Sequence, residues 1–302
     1  MAKVVPVCSS SKGNSVFVGD STSGVLVDAG CSFKALREGL ALCGIPFEAV
    51  KAVLVTHEHI DHTKALGQIT KRTSVPVYAS DGTARRLFSD KLVEQTAVIH
   101  PLSEIKSVPV DMDIDFFHTP HDAAESVGYT LKFGEHKVAC CTDLGYVTDE
   151  VRDNLLGSDT VYIEANYDPV LLKGNPKYPP YLKTRISGDH GHLSNGCSAE
   201  FCRELVAKGT SRLILGHLSQ ENNSPKMAYD AVEKTLKTAG MSCGVDFTLD
   251  EYALHFLLGG NFAVVRCFIF LLRKEKLWQY ILYLWHLCLC LLIRSSSISR
   301  MW

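Results

Sequence analysis

Short runs of β-branched and apolar residues punctuate the first 255 positions: Val4–Val7, Val25–Val27, Ala52–Val55, Val75–Tyr78, Val127–Leu131, Lys137–Cys140, Thr160–Ile163 and Leu213–Leu215. Runs of this length, bounded by turn-forming residues, predict strands. Helical patterns lie between them over Phe33–Cys43, Thr63–Thr70, Asp149–Leu156, Ser198–Ala207 and Pro225–Ala239, the last with Ser224 as N-cap and Pro225 at the first helical position. Strands and helices mixed in this way predict an α+β chain, sheets covered by helices rather than an all-β barrel. No internal repeat is visible in the residues.

The pattern changes after about residue 257. Phe262–Leu272 and Leu277–Ile293 are apolar runs without turn signals, separated by Arg273-Lys274-Glu275-Lys276 and followed by Arg294-Ser295-Ser296-Ser297. A bilayer span needs ~20 apolar residues, and the final run falls short of that and contains Gln279 and His286. The chain therefore divides into a folded domain over residues 1–256 and an apolar tail over 257–302. The tail reads as a helix packed on the core or a non-native extension in preference to a membrane-associated segment.

Composition adds limits. With 46% hydrophobic and 21% charged residues, the chain is globular rather than disordered. A net charge of -2 gives no global attraction to polyanions, so any nucleic-acid contact must come from a local basic patch. The eleven cysteines are odd in number and include no Cys-x-x-Cys pair, and Cys140-Cys141 lies in an apolar run, which indicates reduced thiols. Met1–Cys8 lacks the basic and apolar stretches of a secretory signal, so the expected compartment is the cytoplasm.

One segment stands apart chemically. The apolar run Val53-Leu54-Val55 leads through Thr56 into His57-Glu58-His59-Ile60-Asp61-His62, four metal-binding side chains within six residues. Where a strand ends the backbone is free to turn, so His57 and His59 can face one centre while Asp61 and His62 face a second, a spacing suited to two metals ~3.5 to 4 Å apart. Further candidates follow other apolar runs: His121, Asp143 and His217 each stand where a strand would emerge. His118 rivals His121 from three residues away but would fall inside a strand. His100, His136 and His255 carry no partner pattern.

The series Asp28, His57-x-His59-x-Asp61-His62, His121, Asp143 and His217 resembles the signature of the metallo-β-lactamase superfamily. That resemblance implies a four-layer αβ/βα sandwich with the site at one edge of two facing sheets. It implies two divalent metal ions, Zn or Mn: His57, His59 and His121 on one, Asp61, His62 and His217 on the other, and Asp143 between them. Asp28 would orient the ligand loop by hydrogen bonds. Glu164-Ala165-Asn166-Tyr167-Asp168, Tyr181-Leu182-Lys183-x-Arg185-Ile186, Gly191-His192-Leu193-Ser194-Asn195 and His217-Leu218-Ser219-Gln220-Glu221-Asn222-Asn223 are similar to blocks of the YycJ/WalJ-like branch, which implies a DNA exonuclease acting 5′ to 3′ with no nucleotide cofactor.

Water held between two divalent ions is acidified to an apparent pKa near ~7 and becomes a nucleophile for a phosphodiester. Asp61 and His192 are the candidate catalytic side chains. His192 would protonate the leaving oxygen or bind phosphate, with His190 a weaker choice. Candidate substrate contacts are Lys12, Asn14 and Ser15 in the serine-rich loop Ser9–Ser15, Tyr181, Lys183 and Arg185 in a Pro-rich loop over Lys173–Arg185, and Ser194 and Asn195. Cations among aromatics can follow a phosphate backbone while bases stack. Two other readings share these residues: a hydrolase of a small thioester, lactone or cyclic phosphodiester, and a non-enzymatic metal-binding or membrane-tethered protein.

Overall fold

The computed structural model describes residues 3–251. The domain boundary expected after residue 256 and the apolar tail lie outside them. Strands β1 (Lys3–Ser10), β2 (Gly13–Gly19), β3 (Gly24–Val27), β4 (Val50–Leu54), β5 (Val77–Ala79) and β6 (Ile99–Pro101) form one sheet in sequence order. Strands β7 (Asp113–His118), β8 (Val127–Phe133), β9 (His136–Cys141), β10 (Thr160–Glu164), β11 (Arg212–Gly216) and β12 (Thr248–Glu251) form the other, also in sequence order.

Each sheet begins with three antiparallel strands and continues with three parallel additions. The same connectivity thus occurs twice, with no residue repeat to announce it.

Helices α1 (Phe33–Leu42), α2 (Ile60–Thr63), α3 (Leu66–Arg72) and α4 (Asp81–Ser89) belong to the first half. Helices α5 (Asp149–Leu155), α6 (Pro169–Gly174), α7 (Pro180–Ser187), α8 (Asn195–Ala207) and α9 (Pro225–Thr238) belong to the second. Strand alternation sorts the core into three apolar layers. In β3, Val25 and Val27 face the opposite sheet while Leu26 faces Leu36 and Leu40 of α1. In β11, Ile214 faces the opposite sheet while Leu213 and Leu215 face Phe201, Leu205 and Val232 of α8 and α9. Strands buried on both faces must be apolar throughout, which is why they appear in the sequence as unbroken runs. Helix, sheet, sheet and helix make the four-layer αβ/βα sandwich.

Some local expectations need correction. The helix expected over Thr63–Thr70 is two helices, because Ala65 N donates to Ala29 O at 2.8 Å rather than continuing the turn. The Pro-rich stretch expected as a loop is largely helical: Pro169 and Pro180 start α6 and α7, where a missing N–H costs nothing. The serine-rich segment is a tight hairpin, Ser9 opposite Asn14 and Ser10 opposite Gly13, with only Ser11-Lys12 at its tip. Strands β2, β6 and β12 and helix α4 were not expected. The cysteines of the described residues are free thiols, and no helix among those residues is long and apolar enough to cross a membrane.

The sheets are also joined by a polar tie. Tyr129 on β8 is fully buried and its hydroxyl donates to Val55 O at 2.7 Å, just before the histidine-rich loop. Tyr129→Phe leaves that carbonyl without a partner and is expected to lower stability by about 1 to 3 kcal/mol. Urea unfolding monitored by circular dichroism checks this; an unchanged midpoint contradicts it.

Candidate metal centre

The cluster is built where strands end. Asp28 follows β3, His57–His62 follow β4, Asp143 follows β9, Glu164 ends β10 and His217 follows β11. Asp28, Asp143 and His217 have positive φ of 63°, 61° and 51°. Such a conformation costs a non-glycine residue of order 1–3 kcal/mol and persists only where surrounding contacts impose it. At His217 those contacts are visible: its N–H donates to Ser9 Oγ at 2.8 Å and its carbonyl accepts from Asn166 Nδ2 at 2.9 Å. Ser9 Oγ also lies 2.7 Å from Tyr162 Oη, so the two sheets meet in this network. Gly30 permits another close approach, since a Cβ there would sit 1.6 Å from the Asp61 carbonyl oxygen.

The side chains converge. Ligand atoms of His57, His59 and His121 lie within 4.8 Å of one another, as do those of Asp61, His62 and His217, of His57, His62 and Asp143, and of Asp143, Glu164, His192 and His217. Asp143 stands between the first two groups: Oδ1 is 3.5 Å from His121 Nε2 and Oδ2 is 3.3 Å from His62 Nε2.

Three of the rings, His62, His121 and His217, are anchored through Nδ1. His62 donates to Asp28 Oδ2 at 2.7 Å, and Asp28 also accepts from Thr56 N and Oγ1, each at 2.8 Å. His121 donates to Gly191 O at 3.1 Å and His217 to Glu164 Oε2 at 3.0 Å. Tying Nδ1 leaves Nε2 as a lone-pair donor, the arrangement metal-binding imidazoles use. Two of the buried atoms without a hydrogen-bond partner among the described residues belong to the converging ligands, His57 Nε2 and Asp143 Oδ2. Buried polar atoms are seldom left so, and a cation fits between such donors.

The charges agree. Burial would raise the Asp143 carboxyl, but His217, His62 and His121 hold it well below the usual range. Burial likewise opposes protonation of His217, yet Asp143, Asp61 and Glu164 carry it up to about 10. His62 is raised well above its ordinary value, Asp143, Asp28 and Asp61 overcoming its burial. Burial and the His62 charge push His57 well down. Glu164, despite burial, is held at about 2 by His192 and His217. Without metal, His62 and His217 therefore act as imidazolium counter-charges to the carboxylates, a place divalent cations would take over.

Other expected residues fall as follows. His118 is exposed between Glu125 and Glu150, 3.6 and 3.4 Å away, outside the cluster. His192 is beside it, Nδ1 donating to Glu164 Oε2 at 3.2 Å, and exposed His190 contributes only a carbonyl, to Asp122 N. Asn14 Nδ2 is 3.2 Å from His62 Nε2 and 3.4 Å from Asp61 Oδ2. Lys12 is exposed at the hairpin tip and Tyr181 on α7. Lys183 Nζ donates to Lys173 O, and Arg185 pairs with Asp122, whose other oxygen is 3.4 Å from His121 Nε2.

Three expected substrate contacts are instead internal. Ser15 is fully buried and donates to Asp28 O, Ser194 caps α8 by accepting from Cys197 N, and buried Asn195 bonds Asn223. Glu164, Asn166, Asp122 and Ser9 join the site although no individual role was expected for them. The signal for Glu164 was present: a carboxylate closing the buried run Val161-Tyr162-Ile163, as Asp28 closes Val25-Leu26-Val27.

Comparison with known proteins agrees with this geometry. Residues 24–218 match the β-lactamase superfamily domain model. The chain is 32% identical over 247 residues to exodeoxyribonuclease YycJ of Bacillus anthracis, covering 81% of this chain and 93% of that protein. It is 33% identical over 245 residues to exodeoxyribonuclease WalJ of Streptococcus pneumoniae, covering 80% and 90%. The crystal structure of the metallo-β-lactamase fold protein YhfI from Bacillus subtilis superposes with a TM-score of 0.60 at 19% identity, over 83% of this chain and 96% of that one.

The charge pattern makes a pH prediction for metal-free protein. His62 and His217 have raised values, so their contribution is complete below the unfolded value of ~6.5 and is lost as pH climbs toward the folded one, about 10 for His217. The depressed carboxylates contribute fully above ~4.5, and His57, also depressed, above ~6.5, so neither offsets the alkaline loss. The Tm of metal-free protein should fall steadily from about pH 6.5 to about pH 10. A flat or rising Tm over that window in differential scanning calorimetry contradicts the charge assignment.

Proposed function

Because the chain belongs to the metallo-β-lactamase superfamily, in its YycJ/WalJ-like branch, and is a metal-dependent hydrolase, we propose that it is a two-metal exonuclease that shortens DNA from its 5′ end. The observation that carries this reading is the buried convergence of two ligand groups on Asp143, in a chain similar over four-fifths of its length to two exodeoxyribonucleases.

His57, His59 and His121 would hold one ion, Asp61, His62 and His217 the other, with Asp143 shared. Nitrogen and oxygen donors suit Zn and Mn alike. Bound in these positions, divalent cations would supply positive charge that lowers the proton affinity of water and offsets negative charge on a phosphoryl oxygen.

The chain's own residues complete the site. Glu164 accepts from His192 Nδ1, which fixes the ring, and His192 carrying a proton on both nitrogens would give the one on Nε2 to the leaving oxygen. The His192 ring is centred 5.2 Å from that of His121 and 5.1 Å from that of His217, beside both ligand groups, and remains partly open to solvent. Asp28 and Glu164 hold His62 and His217 with Nε2 inward. Arg185, held by Asp122, and Lys12, exposed at the hairpin tip, would meet phosphates, and exposed Tyr181 would stack on a base.

End-labelled duplex DNA incubated with the protein and Mn, Zn or Mg tests the reading: stepwise loss of nucleotides from the 5′ end is expected. Asp143→Asn should reduce the rate by at least about 10²-fold and lower the bound metal. His192→Gln should reduce it by about 10²-fold with metal content intact. Undegraded DNA together with rapid hydrolysis of a thioester or lactone would instead support a small-molecule hydrolase.

A further inference from the structure

Outside the metal cluster, an open groove of about 720 Å³ runs along the helical face of the first sheet, bordered by Phe33, Lys34, Arg37, Phe47, Gln68 and Arg72. Its size lies within the ~300–1,000 Å³ of small-molecule sites, room for a nucleotide or two. Ser32 on its border is two residues past Gly30, which packs on the carbonyl of Asp61 in the ligand loop. Lys64, exposed, follows α2 and leads from the ligand loop into α3.

The walls combine aromatics and cations. The half-buried rings of Phe33 and Phe47 meet edge to face with centroids 5.3 Å apart, and the Arg37 guanidinium lies 5.9 Å from the Phe33 centroid. Among the described residues neither Arg37 nor Arg72 has a carboxylate partner. Glu38 and Glu48 also border the groove, but Glu38 is engaged by Lys34 at 3.8 Å. Lys34, Arg37 and Arg72 against Glu38 and Glu48 leave an excess of positive charge. Helix α1 adds to it by carrying no acidic residue in its first turn. Unpaired guanidinium groups beside aromatic rings suit a chain that offers phosphates and stacking bases together.

We propose that this groove binds a single-stranded stretch of nucleic acid continuing from the metal cleft, with Arg37 and Arg72 on phosphates and the Phe33–Phe47 pair against a base. The assignment rests on the nuclease reading for its substrate, but it can be tested without cleavage.

The full chain, kept in EDTA, is titrated against fluorescein-labelled single-stranded DNA of about twenty nucleotides at salt from about 50 to about 200 mM, with anisotropy as readout. Replacing Arg37 and Arg72 together by alanine should weaken binding about tenfold and flatten the logarithmic salt dependence by ~1.4, or ~0.7 for each lost phosphate contact. R37K/R72K should keep most of the slope. Removing the same charge elsewhere, at exposed Lys208 and Lys234, should change neither quantity. Cleavage of an oligonucleotide of about four residues, too short to reach the groove, should stay within about twofold of wild type in R37A/R72A.

Wild-type affinity and slope in R37A/R72A, or an equal loss in K208A/K234A, would overturn the assignment. Groove-dependent binding without degradation under any metal would sink the nuclease reading while leaving the groove. Degradation with R37A/R72A unaffected would do the reverse.

Discussion

Several buried carboxylates and imidazoles lie side by side, and their charges must balance there. Asp28, Asp143 and Glu164 are almost wholly buried, as are His57, His62 and His217. Burying one unpaired ion costs several kcal/mol, so none of these groups is tolerable alone. Each is tolerable because another faces it, and the pattern has a direction. The outer atoms of the carboxylates are spent on Nδ1 of the rings and on backbone N–H groups, while Nε2 atoms and Asp143 turn inward. What remains is a concentration of lone pairs that protons neutralise in the metal-free protein and that divalent cations would neutralise better.

The fold exists around that balance in a specific way. Two sheets of the same connectivity pack face to face, so their strand ends open on one edge and present residues from both halves of the chain. Asp28 after β3 and Asp143 after β9 occupy matching positions, each in a left-handed conformation at the change from antiparallel to parallel pairing. Ser9, Tyr162 and His217 then lock one sheet to the other beside the cluster. Strain at three positions is held by these ties and by the close approach that Gly30 allows.

Much of this was legible from residues alone, for physical reasons. Doubly buried strands must be apolar runs, and a His-x-His-x-Asp-His series beyond such a run has little use except metal. Hence the strands, the αβ/βα sandwich and the converging His57, His59, Asp61, His62, His121, Asp143 and His217 could be anticipated. Glu164 and Asn166 were harder, because a single polar residue at a strand end looks like any turn until its partners are known. Ser15, Ser194 and Asn195 erred the other way: their types suit ligand contact, but the same hydroxyls and amides also cap helices and tie loops. The helices α6 and α7 were hidden by prolines, which mark turns and helix starts alike. The nucleic-acid-binding groove proposed between α1 and α3 depends on residues distant in sequence, Phe47 and Arg72 with Arg37, and no local pattern reveals it.

The central claim is that two groups of side chains, one from each end of the ligand loop with help from the opposite sheet, define a pair of cation positions sharing Asp143. Anomalous diffraction from crystals grown with Zn or Mn, recorded at the metal edge, tests it most directly. The account predicts two peaks ~3.5 to 4 Å apart, one against His57, His59 and His121 and the other against Asp61, His62 and His217, with Asp143 touching both. A single peak, or metal bound away from Asp143, would contradict it.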